Sequence, residues 1–239
     1  MRFTPIASSS HGNAYIVEDG QTILLLECGV ARRTLNKALN KALGISTTDC
    51  AAALVSHEHK DHAKAVPELL KDGLTNYMSE GTAEALETEG VELCQNMEQF
   101  NVGSMDIVPF TTFHDAQEPL GFLIRSRADG DNLVFATDTV NLRYRFPGVN
   151  ILAIEANYDK DILARSEKLP EKTRERITNT HMEIETLCDY LRGLDLSSCR
   201  EIWLLHLSDA TSHEGRFLNR VRRCVPAGIR VLAASKDTK

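Results

Sequence analysis

Apolar residues along the chain fall mainly into short runs that are separated by turn-forming residues. Short runs of this kind, bounded by Gly, Asp and Pro, predict β-strands. The predicted strands are Ala14–Val17, Thr22–Leu26, Ala51–Val55, Met105–Thr112, Gly121–Ser126, Leu133–Ala136, Val149–Ile154, Glu201–Leu205 and Ile229–Leu232. The Asp19-Gly20 turn between the first two predicts a hairpin.

Other segments have the composition and spacing of helices. They are Ala31–Leu43, Lys64–Lys71, Thr82–Glu87, Glu183–Leu191 and His213–Val221. Strand-rich blocks broken by helices predict a layered α/β fold, with two sheets and helices outside them. Since no long Pro/Gly/Ser linker or regular repeat interrupts the chain, residues 1–239 are expected to form a single domain.

Composition narrows the class of protein. The chain has 239 residues, of which 42% are hydrophobic and 26% charged, as in ordinary globular proteins. Its net charge of −7 argues against broad electrostatic capture of nucleic acid but leaves room for a local basic patch. The six scattered cysteines, with no Cys-x-x-Cys pair, are expected to be thiols in a reducing cytoplasm. We expect no secretory signal and no membrane span.

The densest cluster of chemistry is the segment 55–62, Val-Ser-His-Glu-His-Lys-Asp-His, which directly follows the apolar run 51–55. It brings three imidazoles and one carboxylate, from His57, His59, Asp61 and His62, into a small volume. Such groups are costly to bury unpaired, and they are suitable ligands for zinc, manganese or iron. A lone His-x-His means little, but His-x-His-x-Asp-His after a strand favours a metal site over a solvated loop.

Three further candidates each come just after a predicted strand: His114, Asp138 and His206. Taken singly, Asp138 is more simply a turn residue, and each histidine a packed or surface imidazole. Strand ends on one side of a sheet converge, however, and active sites of layered α/β proteins form there. Together with the loop they supply five His and two Asp, which favours a site for two metal ions.

The order His-x-His-x-Asp-His, then His, then Thr-Asp, then a late His resembles the metallo-β-lactamase superfamily. The resemblance implies an αββα sandwich of two mixed sheets flanked by helices. It also implies two divalent ions, zinc or manganese, held by seven ligands. By position these are His57, His59 and His114 for the first ion, Asp61, His62 and His206 for the second, and Asp138 bridging both.

Softer matches resemble a narrower branch, the YycJ-like (WalJ-like) exonuclease-related hydrolases. They include the segments 8–13, 26–29, 114–116, 118–121, 136–139, 154–157 and 176–177. The branch's Gly-His-Leu-Ser-Asn stretch is replaced here by Thr-His-Met-Glu-Ile at 180–184, which keeps only His181. Position 27, often aspartate in the branch, is Glu27. The resemblance gives catalytic roles to Asp61 and His181, the latter at the scissile phosphate or leaving group.

This resemblance implies a metal-dependent phosphodiesterase or nuclease, of the 5′–3′ exonuclease kind on DNA, in which metal-activated water attacks the phosphate. Arg143, Arg145, Arg174 and Arg176 are candidate phosphate-binding residues, although solvated loop charge explains them equally well. One alternative is a hydrolase of a small cyclic phosphodiester, thioester or lactone on the same site. Another is a metal-binding protein without turnover. We expect neither an exported β-lactamase nor a member with the inserted β-CASP domain.

Overall fold

The computed structural model describes residues 1–166 and 169–234. Its strands are β1 (Arg2–Ser9), β2 (Gly12–Glu18), β3 (Ile23–Leu26), β4 (Ala52–Leu54), β5 (Asn76–Met78), β6 (Glu92–Leu93), β7 (Phe100–Val102), β8 (Met105–Thr111), β9 (Leu120–Ser126), β10 (Asn132–Ala136), β11 (Ile151–Glu155), β12 (Glu201–Leu205) and β13 (Arg230–Ala233). Its α-helices are α1 (Arg32–Leu43), α2 (Lys60–Ala63), α3 (Val66–Lys71), α4 (Glu80–Ala85), α5 (Lys160–Arg165), α6 (Glu171–Thr180), α7 (Ile184–Arg192) and α8 (Glu214–Arg222). None of these described helices has the length and apolar character needed to cross a membrane.

The strands form two mixed sheets. The first has the order β1-β2-β3-β4-β5-β6, antiparallel from β1 to β3 and parallel from β3 to β6. The second has the order β13-β12-β11-β10-β9-β8-β7, in which β10 to β13 are parallel and β7 to β9 antiparallel. With helices flanking the sheets, this confirms the fold class predicted from the sequence.

The described chain divides into two compact units. Unit 1 comprises Met1–Thr111 and Ala116–Asp131, and unit 2 comprises Thr112–Asp115 and Asn132–Ala234. The segment His57–His62 belongs to unit 1. The candidates His114, Asp138, His181 and His206 belong to unit 2.

The predicted hairpin in unit 1 is confirmed. Strands β2 and β3 pair antiparallel, with Tyr15 opposite Leu26, and Gly20 in the connecting turn has φ of +83°, which glycine adopts without steric cost. Strand β4 is buried along its whole length and pairs in parallel with both β3 and β5. A central parallel strand has no solvated face, which is why its sequence is an unbroken apolar run. The histidine-rich loop starts at its carboxyl end.

The helix predicted over Lys64–Lys71 begins two residues later than predicted, at Val66. The structure has two short helices, α2 and α3, with a break at residues 64–65. The backbone N–H of Ala65 donates a hydrogen bond to the carbonyl of Cys28 at 2.8 Å. Pro67, which has no N–H, lies in the first turn of α3, where that donor is not needed.

Several elements were not predicted, and each lacks the expected hydrophobic pattern. Strand β1 contains Pro5, which an edge strand tolerates, and its register with β2 shifts between Pro5 and Ala7. Strands β5 to β7 are only two or three residues long. Helix α6 has one buried residue, Thr180, so it shows no apolar stripe.

In unit 2 the apolar runs behave as predicted. Strands β10 and β11 are almost entirely buried, and β12 buries three of its five residues. The three strands lie in parallel register, with Ala136 beside Ile154 and Ile154 beside Leu204. Helix α7 buries Leu187, Cys188 and Leu191 on one face. Because the strands run in the same direction, their carboxyl ends lie at one edge of the sheet. Glu155 is the last residue of β11, and Asp138 and His206 come shortly after β10 and β12.

Gly29 provides a test of the packing around the histidine-rich loop. A Cβ at this position would lie 1.6 Å from the carbonyl oxygen of Asp61, a backbone atom that cannot move aside without shifting the loop. We expect Gly29→Ala to lower the free energy of unfolding by about 3 kcal/mol, as measured by urea denaturation.

Gly215→Ala is the matched control, because its Cβ would approach no atom closer than 3.7 Å and it lies in the first turn of α8. We expect this variant to be neutral or stabilised by about 0.5 kcal/mol. Equal stability of the Gly29→Ala variant and the wild type would contradict the close approach.

Candidate metal centre

The loop after β4 gathers its imidazoles within unit 1. His57 and His62 are buried, and their ring centroids lie 4.2 Å apart. The Nε2 atom of His57 is 3.1 Å from Nδ1 of His59, and the two rings meet edge to face. Ser56 Oγ lies 2.8 Å from the other nitrogen of His57, Nδ1, and so fixes the orientation of that ring. The loop therefore presents several imidazole nitrogens at one point.

Glu27, which directly follows β3, contacts this loop through its carboxylate. Its carboxylate is fully buried and accepts a hydrogen bond from the backbone N–H of Ser56 at 3.2 Å, while its Oε2 lies 3.4 Å from His62 Nδ1. Burial raises the pKa of the Glu27 carboxyl, against the opposing effect of His62. Glutamate at this position thus reaches the histidine-rich loop and orients the His62 ring.

Residues from β2 and from the segment after β3 also contact the histidine-rich loop. The side-chain amide of Asn13 lies 3.0 Å from His62 Nε2 and 3.3 Å from the carbonyl oxygen of Asp61. The backbone N–H of Gly29 donates to the carbonyl of Asn13, and that of Cys28 donates to the carbonyl of His62. Asp61 keeps a side-chain exposure of 25%.

In unit 2, Asp138 is the centre of a second cluster. Its side chain is 3% exposed, and its Oδ1 accepts a hydrogen bond from Thr137 Oγ1 at 2.7 Å. Asp138 Oδ2 lies 3.6 Å from His114 Nε2, and Asp138 Oδ1 lies 3.6 Å from His206 Nδ1. His114 is oriented by the carbonyl oxygen of Thr180, which lies 2.8 Å from its Nδ1. The carboxylate is thus placed between two imidazoles.

Glu155, the last residue of β11, forms a buried pair with His181. Its Oε1 lies 2.7 Å from His181 Nδ1, and its Oε2 accepts hydrogen bonds from the backbone N–H groups of Thr139 and Met182. Burial alone would raise the pKa of the Glu155 carboxyl, but the charge and hydrogen bond of His181 lower it below its usual value. Burial likewise opposes the charge of His181, yet Glu155 raises the pKa of that imidazole above its usual value.

His206 completes the cluster in unit 2. Its Nδ1 is 3.0 Å from the side-chain amide of Asn157 and 3.4 Å from Glu155 Oε1. The same amide donates to the backbone carbonyl of His206 at 2.9 Å. Ligand atoms of Asp138, Glu155, His181 and His206 all lie within 4.8 Å of one another.

The backbone is strained where these polar side chains leave the strands. Glu27, Asp138 and His206 have φ of 63°, 42° and 52°, in the left-handed region that residues other than glycine rarely adopt. Each follows the carboxyl end of a strand within two residues. Such conformations cost free energy and persist where the surroundings enforce them, often at functional sites. At these residues the side chains no longer follow the alternating directions that side chains have along a strand.

The donor groups fit divalent metal ions. Both clusters offer imidazole nitrogens, and unit 2 adds buried carboxylates; this is the mixture that zinc and manganese accept. Ligand atoms that share a tetrahedral zinc ion lie about 3.3 Å apart, as follows from metal–ligand distances near 2 Å. The separations of 3.1 Å between His57 and His59 and 3.6 Å between His114 and Asp138 are close to that value.

The four predicted phosphate-binding arginines all make contacts inside unit 2. The guanidinium of Arg143 stacks 4.3 Å from the Phe113 ring centroid, and that of Arg145 lies 5.1 Å from the ring centroid of Tyr190. Arg174 donates to the backbone carbonyls of Leu169 and Ser166.

Arg176 reaches the cluster indirectly. Its guanidinium donates to both carboxylate oxygens of Asp115, at 2.7 and 3.2 Å, and Asp115 Oδ1 lies 3.1 Å from His114 Nε2. A phosphate-binding role for the four arginines stays a prediction. His213 accepts a hydrogen bond from the backbone N–H of Arg216 at the start of α8.

Sequence reasoning gave no role to Glu155, Asn157 or Asn13, although each lay in a segment that resembled the exonuclease-related branch. The signal for Glu155 was present: it is a carboxylate at the end of the apolar run 151–155, the same context that singled out Asp138. Asn13 and Asn157 carry no such signal, since an asparagine near the end of a predicted strand is ordinary turn chemistry.

Two mixed sheets with imidazoles and carboxylates at their strand ends define a metallo-hydrolase of the metallo-β-lactamase fold. The sequence model for the β-lactamase superfamily domain matches residues 22–206, and the chain belongs to that family. This confirms the family predicted from the histidine motif, and with it the class of enzyme.

Relatives in sequence include bacterial proteins named exodeoxyribonucleases. The chain is 28% identical over 222 residues to the exodeoxyribonuclease YycJ of Bacillus anthracis, covering 87% of this chain and 83% of that protein. It is 28% identical over 223 residues to the exodeoxyribonuclease WalJ of Streptococcus pneumoniae, covering 87% and 81%. Among solved structures, the metallo-β-lactamase fold protein YhfI of Bacillus subtilis matches with a TM-score of 0.75 and 17% identity, covering 99% of this chain and 97% of that one. That likeness concerns the fold.

The buried pair of Glu155 and His181 can be tested through stability. Glu155→Gln keeps the shape but removes the negative charge and leaves three donors with poorer acceptors. We expect the free energy of unfolding in EDTA to fall by about 2–4 kcal/mol, measured by urea denaturation at neutral pH.

Glu175→Gln makes the same chemical change at an exposed position of α6 and is expected to stay within about 0.5 kcal/mol of the wild type. If both variants unfold at the same urea concentration as the wild type, Glu155 does not carry a buried charge.

Proposed function

We propose that this protein is a metal-dependent phosphodiesterase that acts on DNA as a 5′–3′ exonuclease. The observation that carries the proposal is the buried cluster of Asp138, Glu155, His181 and His206, on a chain similar over 87% of its length to proteins named exodeoxyribonucleases. Residues 1–239 act as one functional domain, because the family model spans parts of both units. A cytoplasmic location agrees with six cysteines that are free thiols.

The proposed centre holds two divalent ions, zinc or manganese. The first would be bound by His57, His59 and His114, the second by Asp61, His62 and His206, and Asp138 would bridge them. The donor set of five imidazoles and two carboxylates supports this assignment. When bound, such ions lower the pKa of water and withdraw charge from a phosphoryl oxygen.

His181 is the proposed general acid. Because its Nδ1 faces Glu155 at 2.7 Å, the imidazole is held in one orientation and its Nε2 is the nitrogen left to meet substrate. The carboxylate stabilises the protonated ring, so His181 holds a proton that it can give to the departing oxygen of the cleaved phosphodiester. Glu155 acts through His181 and is a positioning residue.

Asp61 has a catalytic role of a different kind. Its carboxylate accepts a hydrogen bond from the side-chain amide of Asn13 in β2 and lies 3.5 Å from His62 Nε2, yet a quarter of its side chain is exposed. A carboxylate that is both fixed and accessible can orient the attacking water as well as contribute to the metal site.

A second candidate is a hydrolase of small molecules, such as a cyclic phosphodiester, thioester or lactone, on the same site. The observation that favours it is the net charge of −7, which repels long polyanions unless basic groups are concentrated locally.

Metal content tests the proposed centre. We expect the reconstituted wild type to retain about two zinc or manganese ions per chain after gel filtration, measured by elemental analysis, and Asp61→Ala to retain about one. His11→Ala, at an exposed histidine with no proposed role, should retain two. Equal metal content in all three proteins would remove Asp61 from the ligand set.

Activity tests the proposed reaction. We expect metal-reconstituted protein to release nucleotides from DNA and to cleave bis-p-nitrophenyl phosphate. His181→Ala should lower kcat on DNA by about 10²–10⁴-fold with little change in KM, because it removes a proton donor whose interaction with the departing oxygen forms mainly in the transition state.

His11→Ala should match the wild type on both substrates. Cleavage of the small ester alone would reject the exonuclease function and favour the small-molecule hydrolase. An unchanged rate for His181→Ala on every substrate would reject its role as general acid.

A further inference from the structure

A cleft at the surface of unit 2 is lined by arginine. It has a volume of about 340 Å³, and its lining residues are Arg192, Arg216, Asn219, Arg220, Arg223 and Cys224. We call it the arginine cleft. Four of the six are arginines, and none of these described lining residues is acidic. In a chain with a net charge of −7, this is a local concentration of positive charge.

The cleft arises from the two faces of α8. Phe217 and Val221, four residues apart, are buried and anchor the helix. Arg216, Arg220 and Arg223 recur at spacings of four and three residues, so they line up along another face of the helix and its end. The sequence thus places apolar residues on the inner face of this helix and a row of guanidinium groups beside it.

Acidic residues outside the cleft lining pair with two of the arginines. Arg220 contacts Asp159 at 3.3 Å and Glu185 at 3.0 Å, and Asp159 is buried. Arg216 lies 3.6 Å from the same Asp159 carboxylate and is 52% exposed. These pairs fix the guanidinium groups while leaving their other N–H donors available, since each guanidinium carries five.

At the far end, Arg192 pairs with Asp189 at 2.6 Å and donates to the sulfur of Cys224 at 3.2 Å. Its side chain is also 52% exposed. Four arginines compensated by three carboxylates leave a net positive cleft, with the carboxylates outside its lining.

The row has the length of a short stretch of nucleic-acid backbone. Seven residues separate Arg216 from Arg223, which corresponds to roughly 10 Å along a helix. Successive phosphates of one strand rise by about 3.4 Å along the axis of a duplex, so the row matches the axial rise of about three nucleotides. The lining is polar and offers little apolar surface for a base, which favours phosphate groups as the ligand.

The cleft is also connected to the candidate site within unit 2. Asp159, which contacts both Arg216 and Arg220, lies four residues after Glu155. Its backbone N–H donates to the carbonyl of Thr211, in the segment between His206 and α8. One end of the cleft is therefore tied to the strand end that carries the buried Glu155–His181 pair.

We propose that the arginine cleft binds the phosphate backbone of the nucleic-acid substrate outside the catalytic cluster. This inference rests on the proposed nuclease function and adds to it a second site of contact. The cleft recognises charge and spacing, so it binds DNA and RNA strands alike and carries no sequence preference.

The test is the double variant Arg216→Gln/Arg223→Gln. Arg220 is kept, because it compensates the buried Asp159 carboxylate and its loss would destabilise the fold. The matched control is Arg33→Gln/Arg125→Gln, which removes two charges from exposed arginines of unit 1. Thermal unfolding should give the same Tm for both variants to within about 3 °C.

Binding is measured in EDTA, without turnover, by the fluorescence anisotropy of labelled single-stranded DNA and RNA of about twenty nucleotides over a range of salt concentrations. We expect the cleft variant to bind both strands roughly tenfold more weakly than the wild type. The slope of log K against log salt should be shallower by about 1.4, from two lost contacts at about 0.7 each. The control variant should keep the wild-type slope.

Hydrolysis of bis-p-nitrophenyl phosphate should be unchanged in the cleft variant, while KM for DNA rises and kcat stays constant. A cleft variant with the affinity and salt slope of the wild type would overturn the inference, as would an equal loss in the control variant. If the wild type binds DNA through the cleft but cleaves none, the nuclease function fails and the binding site stands. If the wild type cleaves DNA and the cleft variant does so with the same KM, the nuclease function stands and the binding site in the cleft fails.

Discussion

Two buried carboxylates, Asp138 and Glu155, impose the main physical constraint on unit 2. A carboxylate without water is costly unless charge and hydrogen bonds compensate it, and the surrounding residues can be understood as that compensation. Glu155 receives two backbone N–H groups and the His181 imidazole, while Asp138 receives a hydroxyl and lies between two other imidazoles. The two imidazole neighbours of Asp138 lie 3.6 Å from its carboxylate oxygens, and an arrangement of this kind can accommodate a cation.

In unit 1 the equivalent constraint is steric. The histidine-rich loop passes so close to Gly29 that no side chain fits there, and backbone hydrogen bonds from Cys28 and to Asn13 fix that approach. Glu27 then supports His62 from a left-handed backbone conformation, the same device that turns Asp138 and His206 out of their strands. Local strain at three strand ends is offset by burial and hydrogen bonding elsewhere, as is common where side chains must converge.

The fold alone does not select a substrate, because one layered scaffold supports many reactions. The similarity to exodeoxyribonucleases covers most of the chain. The positions of the arginines bear on the same question, because they determine where the protein carries positive charge. Arg143, Arg145 and Arg174 are engaged by rings and carbonyls of unit 2, whereas Arg216 and Arg220 of α8 pair with acidic residues, and half of the Arg216 side chain is exposed. A net acidic protein can approach a polyanion when its positive charge is concentrated in this way.

Much of this protein was determined by its sequence alone. Apolar runs predicted the central strands. The motif at 57–62 predicted the family, because the spacing of ligands within one loop can be read directly from the sequence. The tertiary structure decided what depends on partners distant in the chain. It broke the predicted helix over Lys64–Lys71, since Ala65 bonds to Cys28, and it formed α6, which has no apolar stripe of its own and ends at His181. It also paired Glu155 with His181, 26 residues later, because burial and charge compensation are properties of a folded interior that no local pattern encodes.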